Sequence, residues 1–223
     1  PLAEIAAVCH EYGVYLHTDA VQAAGELSLN VDELGVDLLS LSGHKIYGPK
    51  GVGALYVRSG VRLQPQMDGG GQEMERRAGT EAVAAIVGFA TALQLAHDDT
   101  EINRQRHLRD ILIDALLAIP GTTLNGGRAP RLCNNINVSF AGIPGETLLQ
   151  ALDLSGIAVS TGAACSAGAV EASHVLLALG VPPATAAEAV RFSLGRGVTV
   201  DDIQHTIITV QQIIARLRGE SRG

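Results

Sequence analysis

The feature that most limits this chain's fold is the alternation of short apolar runs with helix-spaced stretches. Residues 14–18, ending at Asp19, read as a strand, as do 36–41 and 51–57, the last after a Gly48-Pro49 turn. Residues 2–11 read as a helix closed by Gly13, and 82–95 and 101–119 as two more. From Asn134 the strand period returns: Ile136, Val138 and Phe140 alternate with polar residues. A helix is expected over 146–154, a short strand over 157–160, a helix over 170–179 and a strand over 189–194. The final helix starts at Thr199, with Asp202 three residues on as a capping box. Its apolar residues Ile203, Ile207, Val210, Ile214 and Leu217 fall on one stripe. Strands interleaved with helices make this an α/β chain. The polar stretch 97–100 is the expected boundary between a domain at 1–98 and a domain at 99–223.

Composition removes several classes of function. Hydrophobic residues are 47% of the 223 and charged residues 17%, which a disordered chain would not carry. Lys and Arg number 16 against 23 Asp and Glu, with no Lys/Arg block, so the chain is a poor candidate to bind a nucleic-acid backbone. Aromatics at 3% offer no stacking platform for bases. The apolar stretch 82–96, broken by Thr91 and Gln94, is shorter than the ~20 residues of a membrane span. Cys9, Cys133 and Cys165 form no CxxC pair, which suits a reduced, cytoplasmic chain better than a disulfide or zinc framework. The sequence opens at Pro1 directly in helix-like residues, so an N-terminal part is expected to precede it.

Four segments carry residues suited to chemistry. In Ser40-Leu41-Ser42-Gly43-His44-Lys45, the lysine follows a strand among small hydrogen-bonding residues. A partly desolvated lysine there can form a Schiff base with an aldehyde, and Ser42 and His44 can donate to a phosphate beside it. The plainer reading is a solvated loop lysine. Gly48-Pro49-Lys50-Gly51 lacks the Ser or Thr of a nucleotide phosphate loop and leads into a strand, so it reads as a turn. His17 and Asp19 share a strand face; with no third ligand nearby, a metal reading is weak. Asp19 suits either a carboxylate facing a cofactor's pyridinium nitrogen, with Gln22 reaching a neighbouring oxygen, or a cap on the next helix. Cys165 lies in a run of Gly, Ala and Ser, open either to a mobile nucleophile loop or to a packed small-residue turn. Cys9 and Cys133 read as small core residues. Arg191 lies inside a strand, where its guanidinium needs a carboxylate, from a ligand or a neighbouring side chain. Asp68–Glu73 and Arg76–Thr80 read as a polar loop in which Thr80 can donate to a phosphate.

Taken together, HTDAVQAAG at 17–25, SLSGHKIYGPKGVGALYV at 40–57, STGAACSAG at 160–168 and RFSLGR at 191–196 resemble the cysteine desulfurases of the NifS/IscS type. GGGQE and AGTE fit between them in the right order. The resemblance implies the pyridoxal-phosphate transferase fold type I, aspartate aminotransferase-like. This chain would be an incomplete large domain plus a small C-terminal α/β domain. The Ala- and Ser-rich run after Cys165 looks like the longer-loop branch of the family.

By that resemblance Lys45 would hold pyridoxal 5′-phosphate and move protons, with Asp19 facing the ring nitrogen and Gln22 the phenolic oxygen. Ser42 and His44 would hold the phosphate, and Thr80 would reach that of the other subunit in a homodimer. Arg191 would clamp the carboxylate of L-cysteine. Cys165 would take the substrate sulfur as a persulfide, release L-alanine and pass sulfur to an acceptor or scaffold protein, as in iron-sulfur cluster assembly. Family members are much longer, Asp68 stands where relatives often have His, and residues 74–77 differ from the usual ones. Two other readings remain: another fold type I enzyme, such as a selenocysteine lyase or an aminotransferase, and a shortened interaction protein without catalysis.

Overall fold

The computed structural model describes residues 1–162 and 172–219. They form two compact units, Pro1–Asp98 and Asp99–Gly223.

The first unit opens with α1 (Leu2–Glu11), ended by Gly13 at φ +65°. Ala6 is the buried residue of this helix, and it meets Gly35, where an added Cβ would lie 2.9 Å from its methyl. Cys9 is accordingly only half-buried rather than part of a core. Strand β1 is His17–Asp19, shorter than the run 14–18 implied. Val14 and Tyr15 stay exposed because the pairing with the next strand starts only at His17. One-turn helix α2 (Val31–Leu34) is capped by the Asn30 side chain, which accepts from Asp32 N at 3.1 Å, and is closed by Gly35 at φ +68°. It is too short to show a helical period in sequence. Strand β2 (Leu38–Ser42) runs into a 3-10 turn at Gly43–Ile46, and β3 (Gly53–Val57) follows. The sheet order is β1-β2-β3, parallel then antiparallel. The loop expected near 68–80 contains the one-turn α3 (Gln72–Glu75), whose Glu73, Met74 and Glu75 take positive φ. Helix α4 (Val83–Ala96) ends the unit. Its Phe89, Ala92 and Ala96 pack with Ile46 and Ala24.

The second unit has α5 (Asp99–Leu117), β4 (Thr122–Leu124), β5 (Asn135–Phe140), α6 (Gly145–Asp153), α7 (His174–Ala178), α8 (Pro183–Ala187), β6 (Ala189–Ser193) and α9 (Val200–Leu217). Its antiparallel sheet runs β4-β5-β6. The expected strand at 157–160 is reduced to one bridge, Ser160 with Arg191. The alternation in β5 sends Ile136, Val138 and Phe140 into a continuous core with Leu108, Leu112 and Leu116 of α5, Leu148 and Leu152 of α6, and Ile203, Val210 and Ile214 of α9. The Thr199–Asp202 capping box forms as expected, and its hydrogen bonds from Thr199 hold the Asp202 carboxyl below the usual carboxylate range. Leu217, by contrast, lies partly exposed at the end of its stripe. Arg104 ties α5 to the turn before α9. It pairs with Glu101 at 2.8 Å and donates to the carbonyls of Val198 at 2.6 Å and Arg196 at 3.0 Å. The Arg104 hydrogen bond holds the Glu101 carboxyl below its ordinary value. Cys133 is buried, as expected, with its sulfur 3.8 Å from Gln105 Oε1. Among the described residues, no helix is long and apolar enough to cross a membrane.

Leu112 is 1% exposed where α5 meets this core, while Leu154 is 90% exposed. Leu112→Ala is expected to cost about 2–5 kcal/mol in denaturant unfolding, and Leu154→Ala less than about 0.5 kcal/mol. Equal losses would place the core elsewhere.

Candidate active site

In the first unit, strand alternation separates two chemistries. Leu39 and the half-buried Leu41 and Tyr56 pack on one face with Ala20 and Val36. The other face carries His17 and Asp19 of β1 and Ser40 and Ser42 of β2, with Asp19 paired to Ser40 in the parallel register. His17 Nε2 and Ser40 Oγ share a hydrogen bond of 2.8 Å. Asp19 Oδ1 accepts from Val21 N at 3.1 Å, so this oxygen caps the following turn. The capping role foreseen for Asp19 is thus present, and it occupies one of the two carboxylate oxygens.

The chain then turns sharply enough to present two basic side chains. Gly43 and Ile46 are the buried residues of the 3-10 turn, and His44 and Lys45 between them are exposed. Ile46 anchors the turn against α4. Gly43 is required by close approach: a Cβ there would sit 2.8 Å from the Pro49 carbonyl oxygen. Ser42 Oγ and His44 Nδ1 share a 2.8 Å hydrogen bond. Lys45 is solvent-exposed, in line with the plainer loop-lysine reading and not with a desolvated amine. Beside Ser42 the sheet carries no side chain, because its partner in β3 is Gly53, where a Cβ would lie 2.4 Å from Leu41 O.

Ser42, His44 and Lys45 together form a donor set suited to an anion. Asp19 supplies an acceptor on the neighbouring strand. Ser42 lies two residues beyond Asp19's partner, about 7 Å along the strand. An elongated ligand with an anion at one end and a cationic nitrogen at the other matches that arrangement. The parallel strands place this set at their C-terminal edge, where open α/β sheets bind ligands.

Residues 1–206 match the aminotransferase class-V family. The chain belongs to that family. It is 50% identical to the cysteine desulfurase IscS of Dictyoglomus turgidum over 221 residues, which is 98% of this chain and 56% of that protein. It is 48% identical to the cysteine desulfurase IscS of Methanosarcina thermophila over 223 residues, covering 99% of this chain and 55% of the relative. A NifS-like protein from Rickettsia africae superposes with a TM-score of 0.86 at 33% identity, over 95% of this chain and 57% of that one. The chain thus spans little more than half the length of the curated relatives it matches. Its fold is the NifS-like pyridoxal-phosphate fold type I, covering part of the large domain. Class-V aminotransferases and cysteine desulfurases use pyridoxal phosphate, and the anion donors and facing carboxylate fit that group.

Gln22 is exposed in the turn after Asp19, and Thr80 is exposed in the loop before α4. Arg191 stands on β6 of the second unit, half-buried, with its Nε enclosed and without a hydrogen-bond partner among the described residues. Among the described residues it forms no ion pair, so the side-chain salt bridge weighed from sequence is not seen. Cys165 falls outside the described residues. Sequence reasoning missed the His17–Ser40 pair, having weighed His17 only as a metal ligand. The signal was the shared face of alternate residues in two adjacent strands.

Gly53 tests the geometry of this face. Gly53→Ala forces β3 away from β2 and is expected to lower stability by about 1–3 kcal/mol in thermal or denaturant unfolding. Gly197→Ala, in open space, is expected to be near neutral. A neutral Gly53→Ala would mean the two strands lie farther apart.

Proposed function

We propose that the protein carrying this chain is a cysteine desulfurase. It removes sulfur from L-cysteine with pyridoxal phosphate and releases L-alanine. The observation that carries the reading is the placement of Lys45 next to the Ser42–His44 pair, with Asp19 on the adjacent parallel strand. Residues 1–98 serve as part of the cofactor-binding domain and 99–223 as the small domain.

Bound pyridoxal phosphate supplies an electron-withdrawing ring that stabilises negative charge at the substrate's α-carbon. Lys45 holds the group through Nζ and moves the α-proton. Asp19 keeps a facing ring nitrogen protonated with its carboxylate, and Gln22 hydrogen-bonds the phenolic oxygen. Ser42 and His44 bind the phosphate. Thr80 reaches the phosphate of the second subunit in a homodimer. Arg191 takes the substrate carboxylate; its buried, unpartnered Nε fits that task, because a guanidinium N–H without an acceptor is costly. The Cys165 thiolate attacks the substrate sulfur. The carbon–sulfur electron pair goes to carbon, leaving a persulfide on Cys165 and, after protonation, alanine. The persulfide then passes to an acceptor or scaffold protein in the cytoplasm, with iron-sulfur cluster assembly as its expected use.

Two variants test the reading. Lys45→Ala is expected to abolish the visible absorbance of the cofactor-loaded protein. Cys165→Ser is expected to retain that absorbance and lose release of sulfide and alanine from L-cysteine. No cofactor absorbance in the wild type would favour an interaction-only protein. Sulfide release that survives Cys165→Ser would favour another fold type I reaction.

A further inference from the structure

The sheet of the second unit repeats the two-faced pattern. Ile136, Val138 and Phe140 point into the core, so Asn135, Asn137 and Ser139 occupy the opposite face. On that face Asn137 is the direct partner of Arg191, in the register Asn137–Arg191. Arg191 spends both its backbone N–H and its backbone C=O on Ser160, at 2.7 and 3.1 Å. Its pairing with Asn137 is therefore the close, non-hydrogen-bonded kind, with side chains near each other at about 4.5–5.5 Å between Cβ atoms.

The direction in which Asn137 presents its amide is fixed by a chain of hydrogen bonds. Ser139 Oγ donates its one proton to the Thr185 carbonyl at 2.8 Å, so toward Asn125 it can only accept. Asn125, buried beside it, donates Nδ2 to Ser139 Oγ at 2.9 Å and to Asn137 Oδ1 at 2.8 Å. The oxygen of Asn137 is thereby turned to Asn125, and its NH2 is the end directed away. Beside it stands the guanidinium whose Nε lacks a partner. Two adjacent donors, one charged and its Nε without a hydrogen-bond partner among the described residues, suit an anion.

We propose that Asn137 is a second carboxylate-binding residue beside Arg191, held in its donor orientation by Asn125. The inference rests on the amino-acid substrate proposed above and extends its recognition. Asn137 donates to one carboxylate oxygen while Arg191 spans the carboxylate, and Asn125 and Ser139 are positioning residues.

The test uses the full-length protein loaded with pyridoxal phosphate, titrated calorimetrically with L-alanine and with L-alaninamide, which lacks the carboxylate. Asn137→Asp keeps an acceptor for Asn125 but replaces the outward donor with a carboxylate oxygen. It is expected to weaken L-alanine about tenfold or more, the loss of one hydrogen bond to a charged group, and to leave L-alaninamide unchanged. Asn137→Ala, which adds no charge, is expected to weaken L-alanine in the same sense, and it decides the matter should Asn137→Asp unfold. Unchanged L-alanine affinity in these variants, with loss in Arg191→Ala, overturns the role of Asn137 and leaves the proposed function standing. Equal weakening of both ligands also overturns it. Unchanged L-alanine affinity in Arg191→Ala removes the carboxylate subsite altogether.

Discussion

The candidate site depends on one register, the parallel pairing that sets Asp19 against Ser40. Side chains alternate with a period of two, so a slip by one residue would turn His17 and Asp19 onto the apolar face. Buried Asp37 locks that register. Its Oδ2 accepts from Leu16 N at 2.9 Å, while Leu16 O accepts from the backbone of Asp37 and Leu38 at 2.9 and 3.1 Å. Arg58 closes the lock from β3's end, donating to Val36 O and Val31 O at 3.0 and 2.8 Å and lying 3.9 Å from Asp37 Oδ1. A buried carboxylate is costly unless hydrogen-bonded, and here its partners are the backbone that the register must hold.

The second unit uses the same division of labour. One face of the β5–β6 pair joins α5, α6 and α9 in the core, and the other carries amides and a hydroxyl from β5 and the Arg191 guanidinium from β6. In both units the apolar face supplies stability, and in the second α8 covers part of the polar face, where the buried Ser139 donates to Thr185 O. Arg104 and the Thr199–Asp202 box fix the start of α9, and so the packing beneath β6.

Much of this was legible in the sequence. Helices long enough to show a period, such as α4, α5 and α9, emerged near their true bounds, because their buried residues recur at helical spacing. Strand ends were less legible. Val14 and Tyr15 look like strand residues, but a strand needs a partner, and theirs begins only at His17. Helix α2 and strand β4 were missed because four and three residues carry no period, although Asn30 and Gly35 bracket α2 with a clear start and stop. The Ser42-Gly43-His44-Lys45 motif was readable from residue types alone. The exposure of Lys45 was one of two readings the residues left open, and it is decided by Gly43 and Ile46 being the buried members of the turn. The Asn125–Asn137–Ser139 network was not readable, since its members become neighbours only through strand pairing.

The claim at the centre is that one amine, Lys45 Nζ, is the attachment point for the aldehyde group. The most direct measurement is borohydride reduction of the full-length protein in the presence of pyridoxal phosphate, followed by peptide mass spectrometry. A pyridoxyl mass on the peptide containing Lys45, at one label per chain, is the predicted result. A label confined to Lys50, or no stable label on either lysine, would contradict it.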